Sequence, residues 1–211
     1  YSDNYKNTAP YNTMITNNML DYPIEVKTEK GSDNQFVNQT LTSYKQVSGM
    51  IVPGVFSTRY IVSAALEPRI VYNDYDSNGN PLYISKDNAD KVVYLWSYNY
   101  LYPVAEIKNA TYSDVCKATG NGVEATGKTL LETIAAKADP ATTDLTPVNN
   151  LRTQLPNALV TTYTYKPLVG IQTMTDPRGV VTKYDYDSFG RLIKVTQADR
   201  VIESYEYHYK N

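Results

Sequence analysis

The chain has 211 residues, enough for one large or two modest domains, and its 42% apolar content can fill a core while 20% charged residues keep the surface polar. A formal net charge of -2, from 20 basic and 22 acidic residues scattered along the chain, provides no basic stripe for a phosphate backbone, so nucleic acid is not an expected partner. No run of 18 apolar residues is present to span a membrane, and the single cysteine, Cys116, excludes an internal disulfide and a Cys-rich metal site.

Tyrosine is the outlying residue, 21 against three Phe and one Trp, which selects the aromatic suited to pleated, half-wet surfaces. The opening YSDNYKNTAPYNT lacks the basic-then-apolar order of a signal peptide, and both ends of the sequence fall mid-pattern, as in a piece of a longer chain. In chain order, residues 23–29 and 35–44 flank the turn Lys30-Gly31-Ser32-Asp33-Asn34 and read as a hairpin. Strands over 50–62 and 69–72 follow, around Pro53-Gly54. Residues 71–107 read as a longer, diverged hairpin unit with strands near 80–86 and 91–100. Between 111 and 155 the periodicity changes, and helices are predicted over 113–118, 128–138 and 146–155, the last with Thr146 as N-cap and Pro147 in its first turn.

The last quarter is repetitive. TYTYKPLVGIQTMTDPRGVVT (162–182) aligns without gaps above KYDYDSFGRLIKVTQADRVIE (183–203), followed by SYEYHYKN (204–211). Tyr163, Tyr184 and Tyr205 share one position of this 21-residue period, and Tyr165, Tyr186 and Tyr207 share another two residues on, hence on the same side of a strand. Asp187-Ser188-Phe189-Gly190 supplies a tight turn, Arg191 to Thr196 a strand, Gln197 to Arg200 a second turn, and 201–209 a strand presenting Val201, Tyr205, Tyr207 and Tyr209 together. Upstream, Tyr75-Asp76-Ser77-Asn78-Gly79 echoes Tyr186 to Gly190, and Ser97-Tyr98-Asn99-Tyr100 echoes Ser204 to Tyr207 at looser spacing.

TDPRGVVTKYDYDSFGRLIKV, residues 175–195, resembles the YD-repeat of bacterial RHS-type proteins, whose units carry a tyrosine-aspartate pair, a turn glycine and then Arg-Leu. Segments 96–115 and 151–170 resemble the borders of a helical insert in that family, so the likeness extends over 71–211. This chain departs from the pattern in three places: no glycine near Ala198-Asp199-Arg200, no Asp after Tyr165, and a third unit that stops after one strand. The resemblance implies a secreted or surface-displayed, outer-membrane associated protein whose long members wind such hairpins into a β shell enclosing another polypeptide segment. It further implies that a chain of this size is one section, stacked on further repeats of the parent polypeptide.

Four enzyme- or metal-like features weigh against this reading and are the weaker alternatives. Gly122-Val123-Glu124-Ala125-Thr126-Gly127-Lys128-Thr129 has the spacing G-x-x-x-x-G-K-S/T of a phosphate loop, but no apolar strand feeds it, so a glycine-rich helix linker is expected. Asp74 to Gly79 begins like a calcium loop, but its twelfth position is Ser85, and a hairpin turn uses the same residues. His208, the single histidine, has no patterned partner, and Cys116 reads as a small buried apolar residue. The tyrosines are expected to form a ladder, with Tyr163, Tyr184 and Tyr205 stacking across neighbouring strands. The alternative is an exposed aromatic face for carbohydrate or a partner protein, with Trp96, Tyr98 and Tyr100 its best candidates.

The expectation is a mainly β chain of antiparallel hairpin repeats in an elongated or curved sheet, with a small helical insertion. Its divisions are an N-terminal hairpin region at 1–70, a diverged repeat at 71–110, the insertion at 111–155 and tandem repeats at 156–211. Its role is that of a non-catalytic scaffold, without cofactor or metal.

Overall fold

The computed structural model describes residues 2–208 apart from Asn88, and Tyr209 lies outside the described residues. Twelve strands and four α-helices form among the described residues, and the protein is mainly β. The chain divides into two units, one ending at Lys91 and one beginning at Val92.

In the first unit, a 3₁₀ turn (Ser2–Tyr5) and helix α1 (Tyr11–Thr16) precede β1 (Glu25–Lys30), β2 (Gln35–Val47), β3 (Met50–Arg59), β4 (Glu67–Tyr75) and β5 (Pro81–Lys86). Each strand pairs antiparallel with its predecessor. Met14, Ile24, Val52 and Ile84 are its buried apolar side chains among the described residues, a thin core. A row of polar contacts supplements it. Arg59 Nε donates to Gln39 Oε1 at 2.7 Å, Gln39 Nε2 to Glu25 Oε1 at 2.5 Å, and the Tyr5 hydroxyl to Glu25 Oε2 at 3.0 Å.

The second unit takes up the chain within β6 (Asp90–Ser97) and continues through β7 (Tyr102–Lys108). Then come α2 (Tyr112–Thr119), α3 (Glu124–Ala135) and α4 (Thr146–Gln154). The sheet resumes with β8 (Leu159–Lys166), β9 (Gly170–Thr175), β10 (Val181–Tyr186), β11 (Leu192–Gln197) and β12 (Arg200–Ser204). The three helices are an excursion between two strands that pair directly, since Ile107 lies opposite Val160 and Ala105 opposite Thr162. Register places Val93, Ile107 and Val160 in one row and Leu95, Ala105 and Thr162 in the next, and all six are buried. Val115, Leu131, Ile134, Val148 and Leu151 supply the helical side of the core. Burying each such aliphatic side chain contributes about 1.5–3 kcal/mol, which makes this face the main reserve of stability.

Two polar devices seat the helices. The Arg152 guanidinium donates to the main-chain carbonyls of Asp176, Val160 and Thr175 and to the Thr162 hydroxyl, fastening α4 to β8, to β9 and to the turn that follows β9. At the other end the Ser97 hydroxyl donates to Ile134 O at 2.7 Å, and the amides of Asn99 and Tyr100 donate to Lys137 O and Ala135 O. The strand predicted over 91–100 therefore stops at Ser97: Tyr98, Asn99 and Tyr100 all take φ between 54° and 63°, and the amides of Asn99 and Tyr100 reach carbonyls left open at the end of α3.

Other expectations shift for local reasons. Helix α3 begins at Glu124, four residues before the predicted start, and runs through Gly127. The absent side chain of Gly127 lets α2 and α3 touch, because a Cβ there would sit 1.7 Å from Cys116 O. Thr146 is the first helical residue and not the cap, because its hydroxyl donates back to Thr142 O while Leu145 holds the cap position. Strand β7 and helix α1 had no element predicted, and β12 ends at Ser204 where a longer strand was expected. The turn lacking glycine closes on Ala198 and Asp199, both left-handed, as a two-residue hairpin connection.

Gly127→Ala is expected to pry α2 from α3 and lower stability by roughly 2 kcal/mol or more. Thermal melting of the variant beside wild type checks this; an unchanged midpoint contradicts the close approach.

Candidate functional site: a repeated tyrosine clasp

The residues that mark the sequence repeat meet in space as two devices. The first is a turn. Asp76, Asp176 and Asp187 each begin a five-residue turn with glycine fourth, and the same four bonds close all three. In the last, Asp187 N donates to Arg191 O, Gly190 N to Asp187 O, and Asp187 Oδ1 accepts from the amides of Phe189 and Arg191 at 2.8 and 2.9 Å. Glycine is required because its φ is +83°, +85° and +76° in the three copies. Oδ2 takes a side chain of the same turn, from its fifth residue in two copies, Asn80 Nδ2 at 2.9 Å and Arg191 Nε at 2.7 Å, and from its third in the other, Arg178 at 3.0 Å. Amide donors hold the Asp176 and Asp187 carboxyls below the usual carboxylate range, with their arginines adding to the effect. At Asp76 these bonds turn the carboxylate into the hairpin turn.

The second device is a clasp. The Tyr186 hydroxyl donates to Ile171 O at 2.8 Å, Tyr207 to Leu192 O at 2.8 Å, Tyr165 to Pro103 O at 2.8 Å, and Tyr75 to Pro53 O at 2.7 Å. Each acceptor lies on the strand before the donor. Register makes it a relay: Ile171 is the cross-strand partner of Tyr165, and Leu192 is the partner of Tyr186. A register shift falls immediately before Tyr165, Tyr186 and Tyr75, its extra residue standing on the strand that follows (Gln172, Ile193 and Leu82), so for Tyr186 and Tyr207 the accepting carbonyl lies next to a bulge. Gly170 clears the way for Tyr186, since a Cβ there would stand 2.5 Å from its hydroxyl. Arg191 links the two devices, with its guanidinium over the Tyr207 ring at 4.3 Å and over Phe189 at 5.3 Å.

The expected ladder of first tyrosines is not formed. Tyr163 lies on β8 and Tyr184 on β10, because one 21-residue period contains two strands. Met174 and Val195 stand opposite them, and strands two apart are separated by about 9.5 Å. Tyr205 follows β12, 42% exposed, with its hydroxyl on Glu203.

The aromatic-face candidates separate. Tyr98 is 4% exposed and cannot serve as a platform. Its ring packs edge-on against Tyr102 and Tyr165, and its hydroxyl accepts from Tyr165 N at 2.9 Å. Trp96 and Tyr100 are half-buried. Trp96 also explains the upstream echo: it follows a register shift and faces Pro103, the acceptor of the Tyr165 clasp, so Trp96 and not Tyr100 holds the second-tyrosine position. Burial, then the neighbouring tyrosines, push the Tyr165 hydroxyl up to about 12.

Elsewhere, Glu124 to Thr129 of the phosphate-loop match are helical. Cys116 is buried, and burial pushes its thiol up. His208 is exposed, 3.6 Å from Glu206 Oε2. No cluster of three His, Cys, Asp or Glu occurs among the described residues. Sequence reasoning missed Arg152 and the clasp acceptors. The constant spacing of 15 residues from Ile171 to Tyr186 and from Leu192 to Tyr207 is the signal that could have found the latter.

Residues 169–202 match the family model described as RHS Repeat. No curated protein matches the chain. Among solved structures, the crystal structure of TcdB2-TccC3 without its hypervariable C-terminal region is 12% identical with a TM-score of 0.45, and the Photorhabdus luminescens Tc holotoxin pore is 12% identical with a TM-score of 0.44. TcdB2-TccC3-Cdc42 is 12% identical with a TM-score of 0.46. Each comparison covers 89% of this chain, which spans 9% of the length of each of those chains.

Tyr186→Phe is expected to lose about 1 kcal/mol of stability by orphaning the Ile171 carbonyl, with no change in fold by circular dichroism. A pH series tests the two devices separately. The Asp176 and Asp187 carboxyls, lowered in the folded state, contribute stability that is complete above about pH 4 and lost as pH falls through their folded values. The Tyr165 hydroxyl, raised in the folded state, contributes stability that is complete below about pH 10 and lost as pH climbs through about 12. Tyr165→Phe should make the alkaline limb shallower and leave the acid limb as it is, the other raised tyrosines such as Tyr75 and Tyr98 keeping the rest; an unchanged alkaline limb contradicts the assignment.

Proposed function

We propose that this chain, which carries an RHS repeat at residues 169–202, is a section of β-scaffold whose hairpins continue a larger shell around a polypeptide segment, in a secreted or cell-surface protein. The reading rests on the fate of the repeat-marking side chains. Tyr165, Tyr186 and Tyr207 direct their hydroxyls onto the backbone of the preceding strand, and Asp187 and Arg191 close the turn on each other, so the repeated residues hold hairpins together. The scaffold is non-catalytic: repetition of a residue for architecture needs no chemistry at that residue.

Strand β12 is where such a scaffold would grow. Among the described residues it pairs with β11, all five of its residues are exposed, and Val201 and Ile202 are 59% and 52% exposed. An open edge of this kind is a template for another strand, here a further repeat of the same polypeptide.

Light scattering across a concentration series tests this. Wild type is expected to associate through the β12 edge, and Val201→Lys with Ile202→Lys to return it toward monomer. A monodisperse wild-type monomer whose β12 amides resist hydrogen exchange as well as those of β10 would falsify the reading.

A further inference from the structure

We propose that the cavity between the helical insertion and strands β8 and β9 is a binding site for a neutral, polyhydroxylated small molecule, a saccharide. The cavity encloses about 400 Å³, within the range of small-molecule sites, and its lining lies wholly in the second unit. One wall is the segment from Asp139 to Asn149, which leads into α4. The other is the sheet face on which Thr162, Thr164, Thr173 and Thr175 stand.

Register assembles the threonines. Thr162 faces Thr175 and Thr164 faces Thr173 across β8 and β9, so their hydroxyls form two adjacent rows on the face that carries the insertion. Toward β6 the same face presents Val93, Leu95, Ala105, Ile107 and Val160, all buried. Valine matches threonine in shape, so packing of the insertion would favour valine here too; the hydroxyls instead border open space.

The polar groups converge on the cavity with bonding capacity left over. Thr164 Oγ1 and Thr173 Oγ1 share one bond of 2.7 Å, which leaves a hydroxyl proton and lone pairs for a ligand. Asn149 Oδ1 accepts from the Thr162 hydroxyl at 2.8 Å, leaving the protons of its amide. Among the described residues, the side chains of Asp139, Thr142, Gln172 and Thr175 have no hydrogen-bond partner in the protein, and all of them line the cavity.

This lining selects the class of ligand. No Lys, Arg or His belongs to it, so a phosphate or carboxylate meets no counter-charge. Cations outside the lining are engaged or in solvent: Arg152 on backbone carbonyls, Lys183 with Asp199 at 3.7 Å, Lys137 with Asp144 at 3.1 Å, and Lys166 exposed. The one lining carboxylate, Asp139, is exposed, where pairing with a cationic ligand contributes little. A polypeptide strand finds no edge to join, because β8 and β9 are each paired on both sides. An apolar ligand would leave the hydroxyls and amides without partners. A saccharide supplies many neutral donors and acceptors at once, and Leu145 and Val148 offer an apolar backing to its C–H groups.

The test is titration of the chain with glucose, galactose, N-acetylglucosamine and maltose, followed by amide chemical shifts, with inorganic phosphate and ethanolamine as charged probes. At least one saccharide is expected to saturate with a Kd of about 1 mM or tighter, shifting the amides of Thr164, Gln172 and Thr173. Thr164→Val with Thr173→Val removes both partners of one bond while keeping their shape, so the melting midpoint should hold while affinity falls at least about tenfold. Should that pair fail to fold, Gln172→Ala, which breaks no bond within the protein, is expected to weaken binding in the same direction. No saturation by any saccharide up to about 10 mM overturns the proposal, as does undiminished binding by the folded valine pair. Tighter binding of phosphate or ethanolamine at the same amides overturns the ligand class. Val201→Lys with Ile202→Lys is expected to bind saccharide as wild type does, so failure of the β12 edge and failure of this site are told apart.

Discussion

A tyrosine hydroxyl reaching one strand back to a main-chain carbonyl is the contact on which the hairpin series depends. A two-stranded hairpin is marginal in water, and its turn fixes only its own two strands. The clasp adds a bond between hairpins at the place where a bulge has already interrupted the ladder, so the carbonyl freed by the irregularity gains a donor. Bulge, tyrosine and carbonyl thus form one unit. Removing any of them leaves a buried or half-buried polar group without its partner, which is why the pattern recurs whole at Tyr75, Tyr165 and Tyr186.

The helical insertion is made compatible with this sheet by contacts of a different kind. Strands β7 and β8 pair as though nothing lay between them, and the intervening helices fold back over their apolar face. Apolar burial sets the strength of that packing, but its position is set by donors directed at carbonyls. Arg152 reaches several from α4, and the left-handed run Tyr98 to Tyr100 presents amides to the end of α3. Tyr98 is drawn into the interior by this turn and becomes the partner of Tyr165, so the insertion and the first clasp of the tandem repeats share a residue. Each hydroxyl is raised by its own burial, and at Tyr165 the neighbouring Tyr163, Tyr98 and Tyr102 add to it.

Much of the architecture was legible because hairpins are local. Alternation and turn glycines located β1, β2, β5 and the strands after β8, and the Asp187 to Gly190 turn took the form its residues dictate. What escaped depends on contacts far apart in sequence. Strand β7 has a proline and no alternating pattern, being buried on both faces as Val104 and Ala105 show. The end of β6 at Ser97 depends on carbonyls some 37 residues downstream. The tyrosine ladder failed for a simpler reason: sequence period and strand period differ by a factor of two, so residues alike in the repeat are never adjacent in the sheet. Trp96 was chosen for its rarity, while its register identifies it as a substitute tyrosine.

The clasp also has a direction. Tyr75 reaches to Pro53, Tyr165 to Pro103, Tyr186 to Ile171 and Tyr207 to Leu192, and in each case the acceptor precedes the donor in the chain. A ribosome delivers residues in that same order. Each new hairpin emerges to find its anchor already in place and needs nothing that has yet to be made, so the sheet can be laid down progressively during synthesis. A clasp pointing the other way would hold every hairpin loose until its successor arrived, with its edge open to wrong partners in the meantime.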